Sequence, residues 1–300
     1  MSHELVERLR TLVAIPVTPF DGAGELDEKA FSGIVSRMVD AGVDAVTPNG
    51  NTSEFYSLRD HELQRALELT IEAVGSRAVV VPGVGNAPGH AADLARAAAA
   101  AGAPAVMVHQ PVHPYQSVQG WVDYHRAVAE AAPSLGIVAY VRDPSLDAKA
   151  LVSLAEQVPS LVAVKYAVPD VFALSEAIGA VGADRVAWIC GLAERWAPFY
   201  WLAGARGFTS GLVSVAPALA VELLSLLRSG DSVAAMALWE RLVPMEKLRM
   251  RRGNANNVSA VKEALAQLGL CGRAVRPPVS ELDTDEAAEA ADIVASWGLG

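Results

Sequence analysis

A single lysine, Lys165, interrupts the apolar run LVAVKYA at Leu161–Ala167. Lysine is among the side chains least often fully buried. If this one is buried, desolvation penalises its charged form and supplies neutral amine. A neutral amine attacks a ketone carbonyl to form an imine, and the protonated imine withdraws electrons from the neighbouring carbon. The structural alternative is a strand lysine whose head escapes to solvent or pairs with a carboxylate. Tyr140, in the run GIVAYVR at 136–142, lies at a similar depth in the preceding apolar segment. A phenol there can pass a proton between a bound molecule and water, or it can be a core tyrosine with a satisfied hydroxyl.

A second group of candidates follows the run DAVTPNG, in GNTSEF at 50–55. Gly50 permits a tight turn. Backbone N–H groups of such a turn, with Asn51 and the hydroxyls of Thr52 and Ser53, can hold a carboxylate; the alternative is an ordinary loop with helix-cap residues. Other polar residues close apolar runs: Thr18, Asn49, Glu54, His109, His113, Arg142, Thr209 and Ser210. Of these, Arg142, Thr209 and Ser210 join Asn51, Thr52 and Ser53 as candidate substrate-binding residues. His109 and His113 have Pro111 between them and no acidic partner after them, which is not a metal-ligand pattern. They are expected to line a pocket or a loop. Neither a metal nor an organic cofactor is expected.

These candidates need elements that place them. Eight short apolar runs occur in order: LVAIPVT (12–18), DAVTPNG (44–50), AVVVPGV (78–84), PAVMVHQ (104–110), GIVAYVR (136–142), LVAVKYA (161–167), VAWICGL (186–192) and GFTSGLV (207–213). Longer helical patterns separate them, several opened by a capping residue (Asp27, Ser57, Asp147) and several closed by glycine. Continuous apolar strands alternating with helices mean a parallel sheet covered on both faces. Eight such repeats close a barrel. The expectation is an α/β fold, a (β/α)8 TIM barrel over residues 1–230, with a C-terminal helical extension over 231–300 packed on the barrel. In such barrels chemistry sits at the carboxyl ends of the strands, where most of the candidates fall.

The composition supports a folded, soluble chain. Of 300 residues, 52% are hydrophobic and 19% charged, and the formal net charge is −10. An acidic chain argues against nucleic acid as the main partner, since phosphate contacts need clustered Lys and Arg. The two cysteines, Cys190 and Cys271, have neither CxxC nor His spacing, so they make no metal site or disulfide framework. Cys190, in VAWIC, is expected to be a buried small hydrophobe. No run approaches the length of a membrane span, and the amino terminus lacks the apolar stretch of a signal peptide. A cytoplasmic protein with no membrane partner is expected.

Taken together, the motifs resemble the class I pyruvate-dependent aldolases and lyases related to dihydrodipicolinate synthase and N-acetylneuraminate lyase. The resemblance covers nearly the whole chain. IPVTPFDGAGELD looks like the amino-terminal strand and loop of that superfamily, GNTSEFYSLRDHE like its G-x-T-G-E-x-x-x-L-x-x-x-E, VAYVRD like the segment with its catalytic tyrosine, and VAVKYA like the segment with its Schiff-base lysine. The resemblance implies Lys165 as the imine-forming nucleophile, Tyr140 as the proton relay and Thr52, with neighbouring amides, as the keto-acid carboxylate site. It implies a 2-keto acid substrate and a homo-oligomer, tetramer or dimer. SEFYSL, YVRD, GFTSG and the tail NNVSAVKEALAQLG resemble most the 5-dehydro-4-deoxyglucarate dehydratase branch. Asn51 stands where the synthase branch has a hydroxyl residue, and Ser145 where it has an arginine. Ser53 replaces a glycine, and Lys165-Tyr166-Ala167 replaces the Lys-Asp-Gly of the dehydratase. The alternatives are a synthase-like or N-acetylneuraminate lyase-like aldolase, and a catalytically silent keto-acid-binding barrel.

Overall fold

The computed structural model describes residues 2–299. Its strands are β1 (Leu12–Ala14), β2 (Ala45–Val46), β3 (Val79–Val80), β4 (Gly83–Val84), β5 (Ala105–Val108), β6 (Gly136–Val141), β7 (Leu161–Tyr166), β8 (Ala187–Cys190) and β9 (Gly207–Ser210). Its helices are α1 (Ser2–Arg8), α2 (Glu28–Asp40), α3 (Asp60–Val74), α4 (Pro88–Ala100), α5 (Val118–Ala131), α6 (Ala148–Gln157), α7 (Val171–Val181), α8 (Ala193–Leu202), α9 (Pro217–Ser229), α10 (Ser232–Arg249), α11 (Arg251–Asn254), α12 (Ser259–Gln267) and α13 (Thr284–Ser296). Each of the eight apolar runs forms strand structure. The third is divided into β3 and β4 because Pro82 brings no N–H to the ladder; its carbonyl still accepts the Met107 N–H at 2.9 Å. Strands and helices alternate from β1 to α9, and α10–α13 follow with no further strand among the described residues. That order is a (β/α)8 barrel with a C-terminal helical extension.

By contact density the chain forms two compact units. One joins the residues up to Val13 with Val79–Thr209, and the other joins Ala14–Ala78 with the chain from Ser210 onward.

In the first unit β4 to β8, and β9 up to Thr209, lie side by side in sequence order, each pair parallel. Every residue of β5 to β8 is buried, which accounts for their unbroken apolar sequence. Register pairs Val108 with Ala139, Tyr140 with Lys165, and Lys165 with Ile189. Ser117, Asp147 and Asp170 cap α5, α6 and α7 by accepting backbone N–H groups, each at 3.0 Å.

In the second unit α2 buries Phe31, Ile34, Val35 and Met38, and Asp27 caps it by accepting the Ala30 N–H at 2.9 Å. Ser57, expected to cap α3, does not. It ends a 3-10 turn, Phe55–Ser57, its N–H donating to the Glu54 carbonyl at 2.8 Å. The helix starts at Asp60, where Glu62 accepts the Arg59 N–H at 2.8 Å. Gly75 follows α3 at φ +57 and ψ −125, a backbone conformation open to glycine because it has no Cβ. The extension returns to the same loop: Lys262 of α12 donates to Glu54 at 2.5 Å, and Arg276 donates to both carboxylate oxygens of Glu62 at 2.7 and 2.5 Å.

Candidate functional site

Lys165 is the second-to-last residue of β7 and Tyr140 the second-to-last of β6. Side chains alternate between the two faces of a strand, and the neighbours of each face are visible here. Lys165 lies with Met107 and Tyr140: its Nζ is 3.7 Å from Met107 Sδ and 4.0 Å from the centre of the Tyr140 ring. Lys165 is 3% exposed, with no carboxylate among the groups that shift its pKa. Burial is the main cause that pushes its pKa down to about 7, and the positive charge of Arg142 adds to it. At neutral pH a large share of the side chain is therefore neutral amine. The alternative of a solvent-reaching or carboxylate-paired lysine is not what the geometry gives. His109, also buried, presents its ring edge-on to Tyr140 with 6.1 Å between centres. The Arg142 guanidinium lies 6.0 Å from the centre of the same ring, and the Arg142 backbone N–H donates to Gln110 Oε1 at 3.3 Å.

Tyr166 points the other way. Its ring lies 6.5 Å from that of Tyr200 in α8, and burial pushes its pKa up to about 12. Tyr200 in turn donates its hydroxyl to the Val168 carbonyl. Tyr166 thus belongs to the layer beneath the lysine. Gly191 completes that support. A Cβ there would lie 2.7 Å from Ala167 Cβ and 3.0 Å from Lys165 Cγ. The glycine, whose N–H donates to the Tyr166 carbonyl at 2.7 Å, gives the lysine stem its room. Thr209, also in this unit, donates its hydroxyl to the Cys190 carbonyl at 3.3 Å. Cys190 is fully buried, as its apolar run implies. His113 is exposed in the loop after β5, its Nδ1 within 2.7 Å of the Tyr115 carbonyl oxygen.

The other candidates lie in the second unit, on the loop after β2. Gly50 is not at positive φ; the left-handed residues of this loop are Asn49 (φ +62) and Glu54 (φ +60). The glycine is needed for a close approach: a Cβ would lie 2.6 Å from Ile15 Cγ2. The Asn51 carbonyl accepts the Glu54 N–H at 3.1 Å. Ser53 turns inward, its hydroxyl donating to the Pro16 carbonyl at 2.5 Å while its own carbonyl accepts the Thr18 hydroxyl at 2.7 Å. Ser210 Oγ accepts the Val213 N–H at 2.8 Å. These serines hold the backbone. Thr52 differs: it is 5% exposed, and neither its N–H nor its hydroxyl has a hydrogen-bond partner among the described residues. Of the loop candidates it is the one equipped to receive an anion. Arg249, not singled out in the sequence, approaches the same place. It comes from the end of α10 and is 4% exposed.

One group of ligand-type atoms occurs among the described residues, on Glu25, His61 and Glu62. The Glu62 carboxylate is already clasped by Arg276, which holds its pKa below the usual range. Glu25 and His61 are exposed. No described helix is long and apolar enough to cross a membrane.

A barrel of eight strand–helix repeats, with a buried lysine and tyrosine at the carboxyl ends of adjacent strands, defines the class of protein. The chain belongs to the dihydrodipicolinate synthetase family, whose model matches residues 8–296. It is similar to a probable 5-dehydro-4-deoxyglucarate dehydratase of Methylobacterium radiotolerans, with 34% identity over 93% of this chain and 92% of the relative. It is similar also to 4-hydroxy-tetrahydrodipicolinate synthase 1 of Streptomyces coelicolor, with 32% identity over 96% of this chain and 93% of that one. Among solved structures, the dihydrodipicolinate synthase of Bacillus clausii superposes with a TM-score of 0.95 at 42% identity, covering 98% of this chain and 100% of that chain. The expected barrel class and superfamily are borne out. The relatives divide between dehydratase and synthase names.

Proposed function

We propose that this protein is a class I lyase that forms an imine between Lys165 and a 2-keto acid. The observation that carries the reading is the buried Lys165 amine, with a pKa lowered to about 7 and its Nζ 4.0 Å from the centre of the Tyr140 ring. The neutral amine adds to the keto carbon and water leaves. The iminium then draws electrons from the adjacent carbon, so a proton departs there and an enamine forms. In a dehydration, a hydroxyl one carbon further leaves as water, with Tyr140 giving it the proton. Hydrolysis of the imine returns the lysine. The carboxylate is assigned to Thr52. Arg142 stands beside Tyr140 and is assigned to the polar part of the substrate.

The leading reaction is dehydration of a sugar-derived keto acid, with carbon dioxide also lost if the substrate is that of the dehydratase branch. Asn51 and Ser145, at positions where the synthase branch has other groups, support it, as does the M. radiotolerans relative. The second reading is carbon–carbon bond formation or cleavage, favoured by the B. clausii structure. A silent keto-acid binder needs no depressed amine, and the Lys165 environment speaks against it. The reading includes a homo-oligomer of two or four chains, which light scattering measures.

Borohydride reduction in the presence of pyruvate or a sugar-derived keto acid should fix an adduct on the peptide that contains Lys165. Lys165→Ala should give none. A folded protein that yields no adduct with any keto acid of a panel excludes the reading. Product analysis on an aldaric-acid-derived keto acid against an aldehyde plus pyruvate separates dehydration from aldol chemistry.

A further inference from the structure

Arg249 is a cation held where its charge has few outlets. It ends α10 and is 4% exposed. A guanidinium has five N–H donors. Nε donates to the Asn257 carbonyl at 3.1 Å, Nη1 to Glu246 Oε1 at 2.6 Å and Nη2 to Asn257 Oδ1 at 2.7 Å. One N–H on each terminal nitrogen is left over. Buried donors without acceptors are costly, so two on one side chain call for an explanation.

The explanation lies across Gly211. A methyl group there would be 2.7 Å from Arg249 Nη2, 2.9 Å from Thr52 Cγ2 and 3.1 Å from Thr52 Oγ1. The bare glycine lets the guanidinium and the threonine hydroxyl converge on one point. Thr52 brings its own two donors, the N–H and the hydroxyl, both without partners among the described residues. Arg249, Thr52 and Gly211 all belong to the second unit. Beside Gly211, then, two guanidinium N–H groups, an amide and a hydroxyl meet without a partner among the described residues. A carboxylate, acceptor-only and with about four lone-pair positions, is the complement of that set. Glu246 offsets the net charge of Arg249, so what the arginine offers is directed, charge-assisted hydrogen bonding.

We propose that Arg249 is a specificity-determining residue, through which the C-terminal extension helps Thr52 bind the substrate carboxylate. The inference rests on the keto-acid reading above. It assigns to the extension a part in recognition as well as in stability. Gly211 is the space that the arrangement requires.

The test is the concentration of pyruvate, and of its methyl ester, that gives half-maximal borohydride-trapped adduct on Lys165. With Arg249→Gln the pyruvate value should rise roughly ten- to a hundredfold, the usual range for a hydrogen bond to a charged group. The methyl pyruvate value should stay within about twofold, because the ester has no carboxylate to lose. Arg249→Lys should recover part of the pyruvate affinity, and Gly211→Ala should mimic the loss. A merely structural arginine would weaken both probes alike in both Arg249 variants, and that overturns the proposal. An unchanged pyruvate value overturns it equally. Absence of adduct in the unaltered protein with either probe refutes the imine reading itself, a result distinct from either of these.

Discussion

Tyr140 and Lys165 stand opposite one another in register on parallel strands β6 and β7, the amine over the face of the phenol ring at 4.0 Å from its centre. A ring face attracts a cation, so it would favour the ammonium. Burial and the Arg142 charge act in the opposite direction and prevail, leaving the pKa at about 7. Because only the neutral amine adds to a carbonyl, the rate of imine formation should rise with pH through about 7 and level off above it. Rapid-quench borohydride trapping across pH 5–10 measures this. An inflection in the ordinary lysine range instead would sink the argument from burial.

The same shift makes a stability prediction. The folded pKa of Lys165 lies below its unfolded value, so between the two the unfolded chain binds the proton more strongly. Stability contributed by this group therefore rises with pH from about 7 towards the ordinary lysine range, and at neutral pH the lysine costs stability. Lys165→Met keeps the volume and removes the cost. The variant should be inactive and should melt higher at pH 7, by roughly 2–4 °C for each kcal/mol recovered. The gap should narrow as the pH approaches 10. Calorimetry that finds the variant melting lower at pH 7 contradicts this account.

Tyr140→Phe separates binding from proton transfer. The ring still covers the amine, so the pyruvate adduct should form at near-normal yield. Turnover of a dehydration or aldol substrate should fall roughly 100- to 10,000-fold, the usual share of a positioned acid or base. Loss of adduct and turnover by equal factors would mean that the hydroxyl acts before or during imine formation.

Gly191→Ala tests the support beneath the lysine. The added methyl would press Ala167 Cβ at 2.7 Å and Lys165 Cγ at 3.0 Å. Displacing a reactive group by about 1 Å costs on the order of a hundredfold in rate. Adduct formation should slow by about that factor, while overpacking costs about 1–3 kcal/mol and leaves the protein folded at 25 °C. Wild-type adduct kinetics in this variant would show that the stem has other room.

How far the sequence discloses this site depends on which contacts are local. The strand holding Lys165 is legible because a parallel strand buried on both faces is apolar throughout, and one lysine in it stands out. The roles of Gly191 and Gly50 are not, because each is set by a neighbour, Ala167 in one case and Ile15 in the other. Arg249 is hidden for a different reason. In MEKLRMRR it looks like one more charge on a solvated helix, and only the fold buries it beside Thr52. Tyr166 is conspicuous in sequence next to the lysine, yet strand alternation turns it towards Tyr200. Ser53 and Thr52 are adjacent hydroxyl residues, and what separates their roles is where the turn points each hydroxyl and N–H, which a string of residues does not record.

Glu54 and Lys262 make the last case, and sequence separation conceals it as well. They lie 208 positions apart and meet at 2.5 Å, exposed by 1% and 0%. Each has a second bond: the Arg276 backbone N–H donates to Glu54 Oε2 at 2.9 Å, and Lys262 Nζ donates to the Ala274 carbonyl at 2.7 Å. Phe20 closes the pair off, with Lys262 Nζ 4.1 Å from its ring centre. Such a pair adds little stability relative to an apolar one, but removing one partner strands a buried charge, at a cost of about 3–5 kcal/mol. Lys262→Met and Glu54→Gln should each destabilise by about that much. The double variant should lose less than the two losses combined, because it strands no charge. Glu54 is also two residues from Thr52, at φ +60. The single variants should therefore weaken pyruvate binding as well, by loosening the turn that presents the Thr52 N–H. A urea-denaturation cycle measures the coupling. Strict additivity of the two substitutions would mean that the ion pair is incidental and that the turn is held by the backbone alone.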